Sequence, residues 1–326
     1  GRPIPGLDPL MLLEICLEAS SESMLVPAHI WTPWFSMLGS KSGFDSLEEC
    51  FGDLSAHITA VETGLSSDAP MNWRVSDLDR VTLISNSDLH SPSNLGRNAT
   101  VFRGTPGYSA IRATLADPTP DNFGGTIDMF PEEGKYHCDG HRKCGVCLEP
   151  EESLNHDCIC PECGKPLTLG VLHRVVELAD RDKNQLPDNI PPFEYIIPLN
   201  EILAGLFDCG VNTKRVRTVY NDLVQKHGPE LEILRTMPPE QLDGDGVELL
   251  PEAIRRLRDG NVIRKPGFDG EYGVIRLFED DERDKIQQAA LVERARSMTA
   301  RLGSRVEPLA HQTHNVESAL KSPKPR

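Results

Sequence analysis

Val81, Thr82, Leu83 and Ile84 form a short, apolar, β-branched run suited to a buried strand, after which the chain breaks into polar Ser85, Asn86, Ser87, Asp88, Leu89 and His90. Met24 to Val26 lead in the same way into Pro27, Ala28 and His29, and Ile58 to Val61 into Glu62. Helix-like stretches lie around them, from Asp8 to Ala19, Ser46 to Asp53 and Ser76 to Arg80. Short apolar strands alternating with helical segments predict α/β architecture, with βα units in a parallel sheet or barrel. In such folds the C-terminal strand ends carry the chemistry. Residues two apart in an extended segment point the same way, so Asp88 and His90 should project together. A single strand-end His or Asp is usually a cap or a satisfied polar group. Three successive strands ending in His29, in Glu62, and in Asp88 with His90 point instead to a metal site.

From Pro198 the pattern turns helical. Val216, Val219, Tyr220 and Leu223 recur at helical spacing and Gly228 follows as a C-cap; the stretch from Glu248 to Asn261 also ends at a glycine, Gly260. These apolar stripes read as bundle core. The segment PGFDGEYGVIRLF, ending at Phe278, reads as a turn and strand, and the charged, polar residues from 279 to 326 as a partly helical, poorly packed tail.

At 326 residues the chain has room for two or three domains. A formal net charge of −16 argues against a generally basic nucleic-acid coat, though it leaves room for a local basic groove. No apolar run approaches the roughly 18 residues of a membrane span, and no signal peptide is visible, which predicts a cytoplasmic protein with no membrane partner. The opening GRPIPGLDPL has no initiator Met and moves at once into a helix-like stretch. The chain is therefore expected to be a fragment that starts inside a domain.

Five cysteines crowd between Cys144 and Cys163, with Cys138 just before them, in CxxC pairs that suit a reducing compartment better than a disulfide framework does. Cys144-x2-Cys147 and Cys160-x2-Cys163, twelve residues apart, predict a closed tetrahedral four-cysteine site for structural Zn2+, with His141 and Cys158 able to swap in. A redox CxxC is the alternative, but it would stand alone near a thioredoxin-like unit. Cys16, Cys50 and Cys209 read as ordinary buried thiols. A closed site performs no chemistry; it holds together a ribbon too small to fold alone. Lys135, His141, Arg142 and Lys143 on the first knuckle, with Lys165, His173 and Arg174 after the second, suggest a DNA-facing surface.

The stretch after His29, IWTPWFSMLGSKSGF, holds Trp31, Trp34 and Phe35, followed by Lys41. Such aromatics can stack an extruded base or wedge into a duplex, and Lys41 can hold a phosphate. Trp31 is the preferred base contact, while Trp34 or Phe35 is the better candidate for core. Arg97, after Gly96, is placed to meet a phosphate bidentately.

PAHIWTPWFS and SNSDLHS resemble the later metal motifs of the PHP (polymerase and histidinol phosphatase) superfamily. The longer strings AHIWTPWFSMLGSKSGFDSLEECFGD, ETGLSSD, NSDLHSPSNLGR, PEEGKYHCDGHRKCG and CPECGKPLTLGVLHRVVELADR resemble one branch of it, the endonuclease Q family of DNA-repair enzymes, over residues 1 to about 278. The resemblance implies the C-terminal part of a PHP-type βα barrel over 1–118, a four-cysteine zinc ribbon over 119–180, and a helical DNA-contacting domain over 190–278. It makes His29, Asp88 and His90 ligands of two or three catalytic divalent metals (Zn2+, Mn2+ or Mg2+), with Glu62 beside them. The His-x-His pair that opens the superfamily's site is missing, since none of the ten histidines forms one. The implied activity is metal-dependent nicking of damaged DNA beside deaminated bases or abasic sites. A small-molecule phosphatase shares the metal site but has no need of a ribbon. A non-catalytic nucleic-acid-binding protein with a decayed PHP part is the other alternative.

Overall fold

The computed structural model describes residues 6–41, 43–279, 281–286, 288 and 292. The chain divides into two compact units, Gly1–Glu279 and Asp280–Arg326. In the second, residues 281–286 are helical, and Lys285 pairs with Asp281 one turn away at 2.9 Å. The tail expected over 279–326 lies mostly outside the described residues.

The first unit is mixed α/β. Helix α1 (Pro9–Ala19) starts where Asp8 caps the Met11 N–H at 2.8 Å, and α2 (Leu47–Phe51) where Ser46 caps Glu49. Strands β1 (Ala60–Glu62) and β2 (Thr82–Ile84) pair in parallel, Glu62 abreast of Ile84, with the short helix α3 (Ala69–Asn72) between them. The third expected strand, at Met24–Val26, joins no ladder. Pro27 has no N–H to donate, and the chain turns left-handed at His29 (φ 36°). The segment meets the edge of β1 through Glu62 N to Pro27 O (2.9 Å) and Ile30 N to Glu62 O (3.1 Å).

Strands β3 (Ala99–Phe102) and β4 (Phe123–Asp128) flank α4 (Tyr108–Ala116) and form a second sheet, completed by β7 (Phe193–Tyr195) in the order β3-β4-β7. Between β4 and β7 lie the antiparallel pair β5 (Asp139–His141) and β6 (Val146–Leu148), then α5 (Pro150–Asn155) and α6 (Val171–Leu178). Helix α6 returns to the first sheet: Val171 and Val175 join Ile30, Trp31, Phe51, Val61 and Leu83 in one buried cluster. The apolar stripes of the C-terminal region form α7 (Leu199–Phe207), α8 (Lys214–His227), α9 (Glu230–Arg235) and α10 (Leu250–Arg258), around Leu203, Val216, Leu223, Ile254 and Leu257. The hairpin β8 (Ile263–Lys265) and β9 (Val274–Arg276) follows.

Buried acids stitch these parts together. Tyr195 stacks on Phe130 with centroids 4.5 Å apart and donates to Asp68 at 2.6 Å. Arg264 of β8 lies over both rings and pairs with Glu132 at 2.7 Å. Burial pushes the carboxyls of Asp68 and Asp128 up to about 6, and Asp128 accepts the Thr126 hydroxyl at 2.7 Å. A carboxyl raised on folding contributes stability that is full below its unfolded pKa and is lost as pH rises through the folded one. Asp128→Asn, neutral at every pH, should therefore match the wild type near pH 4. It should gain up to about 3 kcal/mol of relative stability above pH 6. Denaturant melts of both proteins from pH 4 to 8 check this, and a wild type at least as stable as the variant at pH 8 refutes it.

Candidate metal centres

At the C-terminal ends of β1 and β2, Glu62 joins two loops. Its Oε2 accepts the His29 backbone N–H at 2.7 Å, and its Oε1 accepts the Asn86 side-chain amide at 3.3 Å. The carboxylate is 7% exposed and both of its oxygens are engaged, which suits an orienting role rather than a donor to an ion. His29 and Asp88 both hold left-handed backbone, at φ 36° and 40°, a costly conformation for non-glycine residues that concentrates at functional sites. Gly64 makes the His29 turn feasible, since a Cβ there would lie 2.7 Å from the His29 Cβ. The Nδ1 of His29 is buried and has no hydrogen-bond partner among the described residues. A buried imidazole nitrogen with no hydrogen-bond partner is able to serve as a metal donor.

Asp88 and His90 are on the neighbouring loop, where His90 is exposed and Asp88 is exposed beside it. The His90 Nδ1 lies 2.9 Å from the Asp88 carbonyl oxygen. A carbonyl oxygen only accepts, so Nδ1 is the donor in that contact. His29, Asp88 and His90 thus share one end of the parallel pair, but they are not drawn into a group of converging donors. Among the described residues, the one group of three or more with donor atoms within 4.8 Å of one another is elsewhere.

That group is His141, Cys144, Cys160 and Cys163. His141, which the sequence offered as a substitute, stands in this group and Cys147 does not. Each half is a knuckle of the same form, in which two ligands spaced x2 are followed by a glycine in left-handed backbone, Gly145 (φ 66°) and Gly164 (φ 70°). The glycines fold the chain back so that both donors face one point: Gly145 N bonds Arg142 O, and Gly164 N bonds Cys160 O. The signal was present in the sequence, since HRKCG and CPECG both end in Cys-Gly whereas CGVCL does not. Cys163 lies 3.5 Å from the His141 Nδ1, and the Lys165 backbone N–H holds the Cys163 thiol below its ordinary range, which favours the thiolate a metal needs. The donor set fits Zn2+. Cys147 instead faces Cys138, and this contact, together with burial, drives the Cys138 thiol upward. Cys158 stays outside both groups. Of the thiols expected to be ordinary and buried, Cys50 is buried while Cys16 and Cys209 are partly exposed.

The β5–β6 hairpin is fixed to its surroundings by Asp139, which is fully buried. Its carboxylate accepts the Gly170 N–H (2.7 Å), the Ser153 hydroxyl and the His173 Nδ1 (2.6 Å), and the last contact raises the His173 pKa.

The remaining expected contacts are scattered. Trp31 cannot stack a base: it is 1% exposed, and its indole N–H bonds Asn72 Oδ1 at 2.8 Å. Trp34 and Phe35 are the exposed pair, at 56% and 77%. The loop turns at His29, which sends Ile30 and Trp31 inward and the later aromatics out. Lys41, Arg142 and Lys143 are exposed. Arg97 pairs with Glu201 of α7 at 2.9 Å and lines a cavity of about 670 Å3 with Ser93, Asn212, Arg217, Tyr220 and Asn221. This cavity lies between the turn that follows His90 and the C-terminal helices.

Residues 198–261 match the family described as the MJ0043 C-terminal domain. The chain is 31% identical over 278 residues to the uncharacterized protein MJ0043 of Methanocaldococcus jannaschii, an alignment covering 79% of this chain and 33% of that protein. It is 30% identical over 255 residues to the uncharacterized protein YqxK of Bacillus subtilis, covering 78% and 61%. The chain therefore spans about a third and three fifths of these two relatives. Two solved structures share its fold at 29% identity. The lesion-specific endonuclease PfuEndoQ of Pyrococcus furiosus superposes with a TM-score of 0.74, covering 84% of this chain and 67% of that one. An endonuclease Q bound to a 27-mer duplex with an abasic lesion at the active site superposes with a TM-score of 0.73, covering 86% and 70%.

The knuckle geometry makes a discriminating prediction. Purified protein should carry one zinc per chain, and His141→Ala or Cys144→Ser should lose it together with the cooperative melt of the ribbon. Cys147→Ser should keep the ion. Elemental analysis decides, and zinc lost from Cys147→Ser but retained in His141→Ala would restore the all-cysteine set.

Proposed function

We propose that this chain, a structural relative of the endonuclease Q enzymes, carries part of the metal site and the DNA grip of an endonuclease that nicks the phosphodiester beside deaminated bases, such as hypoxanthine and uracil, or beside abasic sites. The observation that supports this most is the strand-end pair of left-handed residues, His29 with its unpartnered Nδ1 and Asp88 with its neighbour His90, inside a fold shared with lesion-specific nucleases.

A phosphodiester resists hydrolysis because its anionic oxygens repel a nucleophile and its alkoxide leaves poorly. Divalent ions (Zn2+, Mn2+ or Mg2+) at the strand ends would lower the pKa of a bound water and neutralise charge on the phosphoryl and leaving oxygens. His29 and His90 offer neutral nitrogen and Asp88 anionic oxygen, a mix that suits Zn2+ or Mn2+ better than Mg2+ alone. Glu62 orients His29 through its backbone N–H and ties it to the Asp88 loop through Asn86. Lys41, Arg142 and Lys143 are exposed cations suited to phosphates. Arg97, held by Glu201, fixes the turn after His90 against α7. We read residues 1–118 as the PHP part, 119–180 as a ribbon held by structural zinc, and 190–278 as the helical DNA-contacting part. The free thiols suit a cytoplasmic setting.

In protein expressed from its complete reading frame, Asp88→Asn and His90→Ala should each slow nicking by about a hundredfold or more. Binding to lesion DNA should stay within a few-fold, because the residues that grip DNA are elsewhere. Nicking is read on labelled duplexes carrying hypoxanthine, uracil or an abasic site, with undamaged duplex left intact. Wild-type rates in either variant remove that residue from the site. Hydrolysis of small phosphate monoesters with indifference to every lesion makes the protein a phosphatase.

A further inference from the structure

The loop that leaves His29 forms a finger with an apolar tip, braced by backbone hydrogen bonds across its described residues, 30–41 and 43–44. Thr32 N bonds the His29 carbonyl at 3.2 Å, so the finger starts on the metal donor itself. Its sides are closed by Leu38 N to Ile30 O (2.8 Å), Lys41 N to Pro33 O (2.9 Å) and Phe44 N to Met37 O (2.7 Å). Gly39 and Gly43 let the strands of the finger touch, since a Cβ at either would come within 2.2 Å of backbone. The inner residues Ile30, Trp31, Met37 and Leu38 are core.

One side chain anchors the base of the finger from outside. Arg174 of α6, only 8% exposed, donates from Nε to the Leu38 carbonyl at 3.1 Å and from Nη2 to the Phe44 carbonyl at 3.2 Å, and pairs with Asp45 and Glu177. The tip beyond this clamp presents Trp34, 56% exposed, and Phe35, 77% exposed, next to each other. Phe35 sits at φ 58°, a conformation unfavourable for an aromatic L-residue. A loop this firmly braced could have tucked either ring into the adjoining core. Both rings stand largely exposed at the tip instead, Phe35 on strained backbone.

We propose that Trp34 and Phe35 form a preformed wedge that enters the base stack of duplex DNA at the step weakened by a lesion. The inference rests on the endonuclease reading above and adds how the lesion is found. Three observations select DNA as the occupant. The finger is continuous with the His29 donor; its flank carries the exposed cation Lys41; and a relative of the same fold is held on duplex with an abasic lesion at its active site. Flat aromatic faces stack on any base, and a missing or mispaired base lowers the cost of opening the step. The wedge therefore tests how easily the duplex opens, and because it grows from His29, the opened step lies beside the phosphate to be cut.

The test uses the full chain and duplexes with 2-aminopurine next to a stable abasic analogue, whose fluorescence rises when the step unstacks. Wild-type protein should raise that fluorescence several-fold and bind the abasic duplex about tenfold or more tighter than intact duplex. Trp34→Ala/Phe35→Ala should melt at the wild-type temperature, since both rings are exposed. It should bind intact duplex as before, and lose both the fluorescence rise and the tenfold preference. Trp34→Phe should keep both. A double variant that still unstacks and still discriminates overturns the wedge while leaving the endonuclease reading intact. Wild-type protein that binds no duplex overturns both. A wild-type dimer that the double variant dissolves, with lesion preference unchanged, makes the tip a protein contact and overturns the wedge.

Discussion

The site depends first on the carboxylate of Glu62. It sits at the end of a strand, nearly out of water, and accepts from a backbone amide of one loop and a side-chain amide of the next. A buried anion is tolerated only when donors replace its hydration, and here those donors belong to the two segments that carry His29 and Asp88. The same bonds that make Glu62 bearable inside the protein fix where the imidazole and the second carboxylate stand. Neither loop could relax independently without leaving a charge unsatisfied.

A second chain of dependence runs from the ribbon to the finger. Asp139 binds the β5–β6 hairpin to α6 through the Gly170 N–H and His173. Helix α6 in turn gives Val171 and Val175 to the main core and Arg174 to the base of the finger. The four converging donors of the knuckles therefore support an element that lies far from them in sequence, since Arg174 and Leu38 are 136 residues apart.

Much of this was legible in the residues, because the decisive signals were local. Asp8 and Ser46 cap helices where the pattern placed them, and β1 and β2 run straight into Glu62 and into the Asp88–His90 pair. The endonuclease Q resemblance carried by the long motifs is matched by fold and identity. The strand expected at Met24–Val26 failed because Pro27 and the left-handed His29 prevent a ladder, an effect that apolar spacing does not register. His141 entered the sequence reading only as a substitute for one of the four cysteines, because counting CxxC pairs ignores the glycine that follows His141-x2-Cys144 and Cys160-x2-Cys163 alike. Trp31 is buried and Trp34 exposed, against the expectation, because the turn at His29 decides which ring faces in. Contacts such as Tyr195 with Asp68 join residues 127 apart and left no trace in sequence.

Gly64 ties a second position to the turn at residue 29. Its open φ of 68° and the missing Cβ leave room for the His29 side chain, and nothing else near it needs that space. A methyl group at 64 would never touch an ion or a nucleotide, yet it would push the imidazole off its place. The demand comes from the turn and not from the imidazole, since the nearest neighbours of a Cβ at 64 are the Cβ and Cα of residue 29 and Gly64 itself stands at φ 68°: glycine is needed there whatever side chain position 29 carries. Among homologous chains, alanine at 64 beside histidine at 29 would mark a site already out of use.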